Sequence, residues 1–268
     1  MMLLPQAIPS IQSLKNVAKQ LARTKNINLG QALQCIANDY GFTHWTSMLK
    51  YFKSIRINNI ESLWKSFIPG EMLLLSAREG AGKLSLALNL AAYAIKNKVP
   101  VNYFSMHVKA SFIFERLEKI ADQNLVKTWQ LREYLMVEER SFDQQKLIEE
   151  IKNSKPGALL IIDYLQVIKS FNDSKPPYQD FLKKIKFTAQ QHNSRVLILS
   201  QVINKSSTNF MDYIDGGRSI GRHFSHVIHL EHQQIENIEQ RDLFLIKSVH
   251  YQKQESMLQF NKGNYRFE

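Results

Sequence analysis

The 268-residue chain predicts an α/β fold: a mostly parallel sheet with strands added toward the C-terminus, behind a small all-helical module. Three observations carry this. Short continuous apolar runs alternate with helix patterns of ten or more residues, as expected of strands buried on both faces. The stretch 73–89, LLLSAREGAGKLSLALN, reads as strand, small-residue loop and helix. The first ~55 residues show only helical spacing.

In the module, Leu14, Val17, Ala18 and Leu21 recur at helical spacing, as do Leu33, Ile36, Ala37 and Tyr40. Asn28 with Gln31 has the form of a capping box, and Gly41 that of a helix stop. A third helix is expected over 43–52, with Trp45, Leu49 and Phe52 as its apolar stripe. So small a unit is expected to pack on the main domain. Residues 58–67 predict a bridging helix closed by Pro69-Gly70, a strong turn signal. The chain thus divides into a basic helical module (1–56), a linker helix and turn (57–70) and an α/β domain (71–268). Strands are expected at 72–75, 101–104, 158–162 and 196–199, and helices near 83–95, 110–122, 143–153 and 179–191. After Gly221 the runs 227–230, 243–249, 256–260 and 265–267 lack long helices between them, which predicts added or antiparallel strands at one side. Residues 204–217 read as a loop.

Composition narrows the function. The formal charge is +11, from 35 Lys and Arg against 24 Asp and Glu. Residues 1–60 hold seven cationic side chains against Asp39 alone. This charge suits a polyanionic partner, and a solvated helix face accounts for it equally well. One cysteine, Cys35, excludes an intrachain disulfide and a thiolate metal cluster, and fits a reducing compartment. The start, MMLLPQAIPSI, has no positive n-region, and no run reaches 18 apolar residues, so a cytoplasmic protein without a membrane partner is expected. His223, His226, His229 and His232 are spaced like metal ligands. His226 and His229 would face opposite sides of a strand, however, and no zinc site is expected.

The chemistry begins in the loop before the helix at 83. A phosphate loop needs glycines that curl successive N–H groups around an anion, a helix N-terminus, and a lysine that reaches the outer phosphates. Arg78, Gly80, Ala81, Gly82, Lys83, Leu84 and Ser85 are therefore the candidate nucleotide-binding residues. The match to GxxxxGK[ST] is partial. Ala77 stands at the first glycine, and Leu84 at the hydroxyl that would hold magnesium. The bland alternative is a Gly-rich turn before a buried helix. ATP or ADP is the expected cofactor, weakly held, with Mg²⁺ poorly provided for. Leu159-Leu160-Ile161-Ile162-Asp163 is the second signal, a buried strand whose terminal acid can hold Mg²⁺ or its water.

Three blocks carry a resemblance. AREGAGKLSLALNL, LLIIDYLQVI and VLILSQVIN resemble the phosphate loop, the Asp-Tyr-Leu-Gln strand end and the Ser-Gln strand end of the hexameric replicative DNA helicases of the DnaB type. The likeness extends through FSM (104–106), GRSIGRHFSHVIHL and LQFNKGNYRF, covering about 70–268. It implies a RecA-like ATPase fold. Under it Lys83 falls on the phosphate lysine, Asp163 on the magnesium-associated aspartate, and Gln201 on the γ-phosphate sensor. Lys247 falls on a lysine that reaches a neighbouring subunit's nucleotide. Four positions depart: Leu84, as above; His107, where the family has the glutamate that polarises water; Val249, where the arginine finger belongs; and Glu79, inside the loop, where it would repel a triphosphate unless paired, for instance with Arg78. The module is similar to a short helical motif at the front of bacterial plasmid and prophage proteins, here LKNVAKQLARTKNINLGQALQCIANDYGFTHW.

Two function classes stay open at this stage. One is a nucleotide-binding, at most weakly hydrolysing relative of these helicases acting on the DNA of a mobile element. The other is a non-catalytic DNA-binding or scaffold protein that keeps the fold as a surface. DNA is the expected partner of both, with Lys15, Lys19, Arg23, Lys25, Lys205, Arg218 and Arg222 as candidate contacts. Self-association is expected to be weak.

Overall fold

The computed structural model describes residues 11–54, 56–121, 126–168, 178–202, 217–235, 238–249, 251 and 253–267. Its strands are β1 (Met72–Ala77), β2 (Val101–Ser105), β3 (Leu135–Glu139), β4 (Leu159–Asp163), β5 (Arg195–Gln201), β6 (His226–Ile235), β7 (Ile238–Ser248), β8 (Gln254–Asn261) and β9 (Arg266–Phe267). They form one sheet in the order β3-β2-β4-β5-β1-β6-β7-β8-β9. The first six in that order run parallel, and β7, β8 and β9 return antiparallel.

The alternation along β1 explains the layers. Leu73, Leu75 and Ala77 face one apolar layer, built with α4 (Ile60–Ser66), α5 (Lys83–Lys96), α6 (Ala110–Ala121) and α7 (Thr128–Tyr134). Met72 and Leu74 face the other, built with α8 (Gln144–Asn153), α9 (Tyr178–Gln191) and α10 (Gly217–Gly221). A period of two puts successive side chains on opposite faces, so β1 is buried at every position and apolar at all but Ser76. β4 is apolar from Leu159 to Ile162 and β5 from Val196 to Leu199 for the same reason.

The strands expected after Gly221 lie together at one side of the sheet as β6, β7, β8 and β9; the first pairs parallel with β1, opposite β5, and the other three follow antiparallel. Parallel neighbours need a crossover of a dozen or more residues, and 202–225 supplies it. β3, with the helix α7 before it, is absent from the sequence reading. It is an edge strand with only Leu135 buried, and its last two residues are Glu138 and Glu139.

The linker is bound to the sheet through a buried polar cluster. The Glu71 carboxylate accepts from the Ile68 N–H and pairs with His226 Nε2 at 3.1 Å. The Arg195 guanidinium lies 4.1 Å from the Trp64 ring and donates to the Phe67 carbonyl. Burial pulls the Arg195 pKa down to about 10, against the pull of Glu71, and pushes Tyr251, stacked on His226, up to about 12.

The module forms α1 (Ile11–Lys25), α2 (Leu29–Asp39) and α3 (Trp45–Ser54). Asn28 and Gln31 make the full capping box, at 2.8 and 3.1 Å. Leu14, Ala18, Ala32, Ile36, Ala37 and Met48 bury a core separate from the two layers of the sheet. Val17, assigned to the apolar stripe, is exposed instead. Among the described residues no helix is long and apolar enough to cross a membrane.

Candidate nucleotide-binding site

Parallel sheets place ligands beyond the carboxyl ends of their strands, and here the ends of β1, β4 and β5 converge. Ala77 is in register with Gln201 across β1 and β5. Between β1 and α5 the loop turns through Gly80, at φ +74°, and Gly82, at φ +101°. Both values lie in the left-handed region, which glycine alone enters without strain. A Cβ on Gly82 would also come within 3.5 Å of the Phe267 ring and of Arg241 Nε. No side chain caps α5 at Gly82, so the first N–H groups of the helix face the cavity without an intrahelical partner.

That cavity, of about 620 Å³, is lined by Arg78, Gly80, Gly82, Lys83, Leu84, Ser85, His107, Asp163 and Gln201 among the residues singled out by sequence. Ala81 is buried beneath the loop. The Lys83 ammonium donates to the Ala77 and Arg78 carbonyls at 2.9 and 3.1 Å. Burial lowers its pKa, while Asp163 and Glu79 oppose the shift. Asp163 Oδ2 accepts from the Tyr103 hydroxyl at 2.7 Å. Burial raises its pKa, against that hydrogen bond, Lys83 and His107. His107 is exposed, with its ring edge-on to Tyr164. Gln166 holds the end of β5 by bonding the Ser200 hydroxyl and both backbone groups of Gln201. Glu79 is exposed at the rim, and among the described residues it makes no ion pair with Arg78.

The remaining candidates lie elsewhere. Lys247 on β7 donates to the carbonyls of Gly221 and Phe224 at 2.9 and 2.7 Å, closing the end of α10. Val249 is exposed just beyond β7. Arg222 donates to Gln179. Lys15, Lys19, Arg23 and Lys25 are all exposed on α1. Lys205 and the loop around it lie outside the described residues, as does the side chain of Arg218. His226 and His229 are both fully buried and turn to different partners, Glu71 for the first, Ser76 and Glu231 for the second.

Sequence reasoning missed one whole wall of the cavity: Arg116 from α6, Arg241 from β7, and Phe260, Lys262 and Tyr265 from the C-terminal hairpin. Asn89, buried on α5, sets this wall in place. Its amide donates to the Tyr265 carbonyl at 2.8 Å and accepts from the Phe267 N–H at 3.2 Å, holding Tyr265 at φ +58°. Such a conformation costs a non-glycine residue roughly 1–3 kcal/mol unless its surroundings hold it. Asn89→Ala should therefore destabilise the protein by about 1–3 kcal/mol in urea unfolding, since it strands a part-buried carbonyl and a buried N–H. A loss below a few tenths would show that the hairpin is held by other means.

The comparisons with known proteins agree with this geometry. Residues 54–156 match the family model of the DnaB-like helicase C-terminal domain. The replicative DNA helicase DnaB of Treponema pallidum (strain Nichols) is 24% identical over 172 residues, covering 53% of this chain and 39% of that one. The chain thus spans about two fifths of that relative's length. A solved ATPase domain superposes with a TM-score of 0.66 at 14% identity, over 83% of this chain and 94% of that one. A DnaB-like replicative helicase, solved in a study of its interactions with primase, gives 0.64 at 14% identity over 96% and 75%. The fold is RecA-like, and the sequence is similar at low identity to the DnaB-type helicases. The RadB recombinase shares the RecA-like fold, with a TM-score of 0.58 at 17% identity over 73% of this chain and 89% of that one.

The RecA-like cleft fits a nucleotide better than it fits magnesium. The left-handed glycines, the uncapped helix start and Lys83 form an anion cradle. Leu84 has no ligand atom for a hard cation, and Ser85, one residue further round α5, is 3% exposed. Since α5 begins at Lys83, its start is not shifted to bring Ser85 into the leucine's place.

Proposed function

We propose that this chain is a nucleotide-binding protein of the DnaB-type helicase kind that acts on DNA, with little or no ATP hydrolysis. The observation that carries it is the meeting of Lys83, Asp163 and Gln201 with the left-handed loop glycines around one cavity. In this reading the loop N–H groups and Lys83 hold the phosphates of ATP or ADP. Tyr265, stacked on Arg116 at 4.5 Å, offers its ring as a surface for the base. His107 and Asp163 line the same cleft, where Leu84 supplies no ligand for a metal that would activate a water. The departures at Leu84, His107 and Val249 remove the metal ligand, the glutamate and the finger that the resemblance implies. The mobile-element setting rests on the similarity of the module alone.

Calorimetric titration with ATP tests this reading. Binding in the high-micromolar to millimolar range is expected, weakened about tenfold or more by Lys83→Ala, as for loss of one charge-assisted contact. No heat at millimolar ATP would leave the scaffold reading in its place.

A further inference from the structure

The cavity departs from a magnesium-dependent phosphate site in one consistent direction. Among the described residues no group of three His, Cys, Asp or Glu side chains is placed to hold a metal. Leu84 offers no ligand, and the Asp163 carboxylate already accepts from Tyr103. What the cavity has instead is fixed positive charge. Arg78, Lys83, Arg116, Arg241 and Lys262 line it, against only Glu79 and Asp163.

Two of these cations are built into the fold. Arg241 is 3% exposed, lies over the Phe260 ring at 4.7 Å, and reaches the loop beside Gly82. Arg116 is clamped between the rings of Phe112 and Tyr265, at 4.3 and 4.5 Å. A guanidinium stays charged when buried and presents a rigid fork of N–H donors that matches phosphate oxygens. Two arginines packed on aromatic rings thus line the cavity, and Arg241 stands beside the loop at Gly82.

We propose that Arg241, together with Arg116, supplies from within this chain the positive charge that a magnesium ion provides in a complete phosphate-loop site, so that nucleoside di- and triphosphates bind as metal-free anions. This rests on the nucleotide reading above and adds to it the state of the ligand and the residues that neutralise it.

The test is titration of the full-length protein with ATP and with ADP, once in excess Mg²⁺ and once in EDTA. The wild type is expected to bind within threefold equally in the two conditions. Arg241→Ala should weaken binding by about 10- to 100-fold in both, and Arg241→Lys by less. Arg116→Ala, at a partly exposed position, should weaken it by about three- to tenfold, and it carries the test if Arg241→Ala melts far below the wild type without ligand. Wild-type binding that falls tenfold or more in EDTA overturns the proposal while leaving the nucleotide reading intact. So does wild-type affinity in a folded Arg241→Ala or in Arg116→Ala. Absence of wild-type binding under either condition overturns both.

Discussion

Purified protein is expected to turn over ATP at least about a thousandfold more slowly than an active replicative helicase under the same conditions. Phosphoryl transfer is catalysed by positioning and electrostatics, and an arginine finger alone is worth roughly 10³–10⁵ in rate. Val249 stands at that position by resemblance and is exposed, with no charge to contribute. Within the cleft Leu84 cannot hold a metal. The buried Asp163 has a raised pKa, so its charged form is less favoured there than in water. The cis arginines do not replace the missing parts: Arg241 and Arg116 line the cavity from the side of the C-terminal hairpin, and a guanidinium is neither a general base nor a metal ligand. Val249→Arg alone is therefore expected to recover little, because the metal ligand and the base would still be absent. Steady-state ATPase assays with and without single-stranded DNA read this directly. Robust DNA-stimulated turnover or strand separation by the unmodified protein would sink it.

The parts of the fold that could be read from sequence were those where burial leaves no choice. β1, β2, β4 and β5 are buried along almost all of their length, so they appear as short, mainly apolar runs whatever their neighbours are. β3 could not be read this way because an edge strand carries polar side chains with local duties. Glu138 pairs with Arg140, and Glu139 accepts from the Ala110 N–H at the start of α6. The orientation of β6 is a property of the crossover before it, and apolar pattern says nothing about that. The site divides along the same line. Asp163 and Gln201 lie at strand ends and Lys83 at the start of the helix that follows β1, so local motifs find them. Arg241 and Tyr265 reach the cleft only because Asn89 and the antiparallel strands fold the C-terminal hairpin back over α5, and Arg116 meets them there from α6. An arginine in a strand pattern such as RDLFLIKS carries no mark of that destination.

The helical module is expected to contribute salt-sensitive, largely sequence-independent DNA binding. Lys15, Lys19 and Arg23 are spaced by four residues on α1, which stacks them along one face of the helix, and all three are exposed, as is Lys25 at its end. The adjoining face carries Leu14 and Ala18 into the module's core. A stripe of this kind suits the phosphate backbone, where each neutralised phosphate adds about 0.9 to the slope of log affinity against log salt on duplex DNA. A competing account needs no nucleic acid: Arg23 and Lys25 sit in the last turn of α1, where cations favourably meet the helix dipole for roughly 0.3–1 kcal/mol. The two accounts part on converting Lys15, Lys19, Arg23 and Lys25 to Ala. DNA contact predicts a slope shallower by as much as about 3.6 and a similar loss of affinity for every sequence. The dipole account predicts a small loss of stability with binding unchanged. Affinities for two unrelated duplexes, measured from about 50 to 200 mM salt, separate them. Equal binding by the wild type and the quadruple variant, or none by either at the lowest salt, would leave these lysines and arginines as the solvated face of a small helical unit.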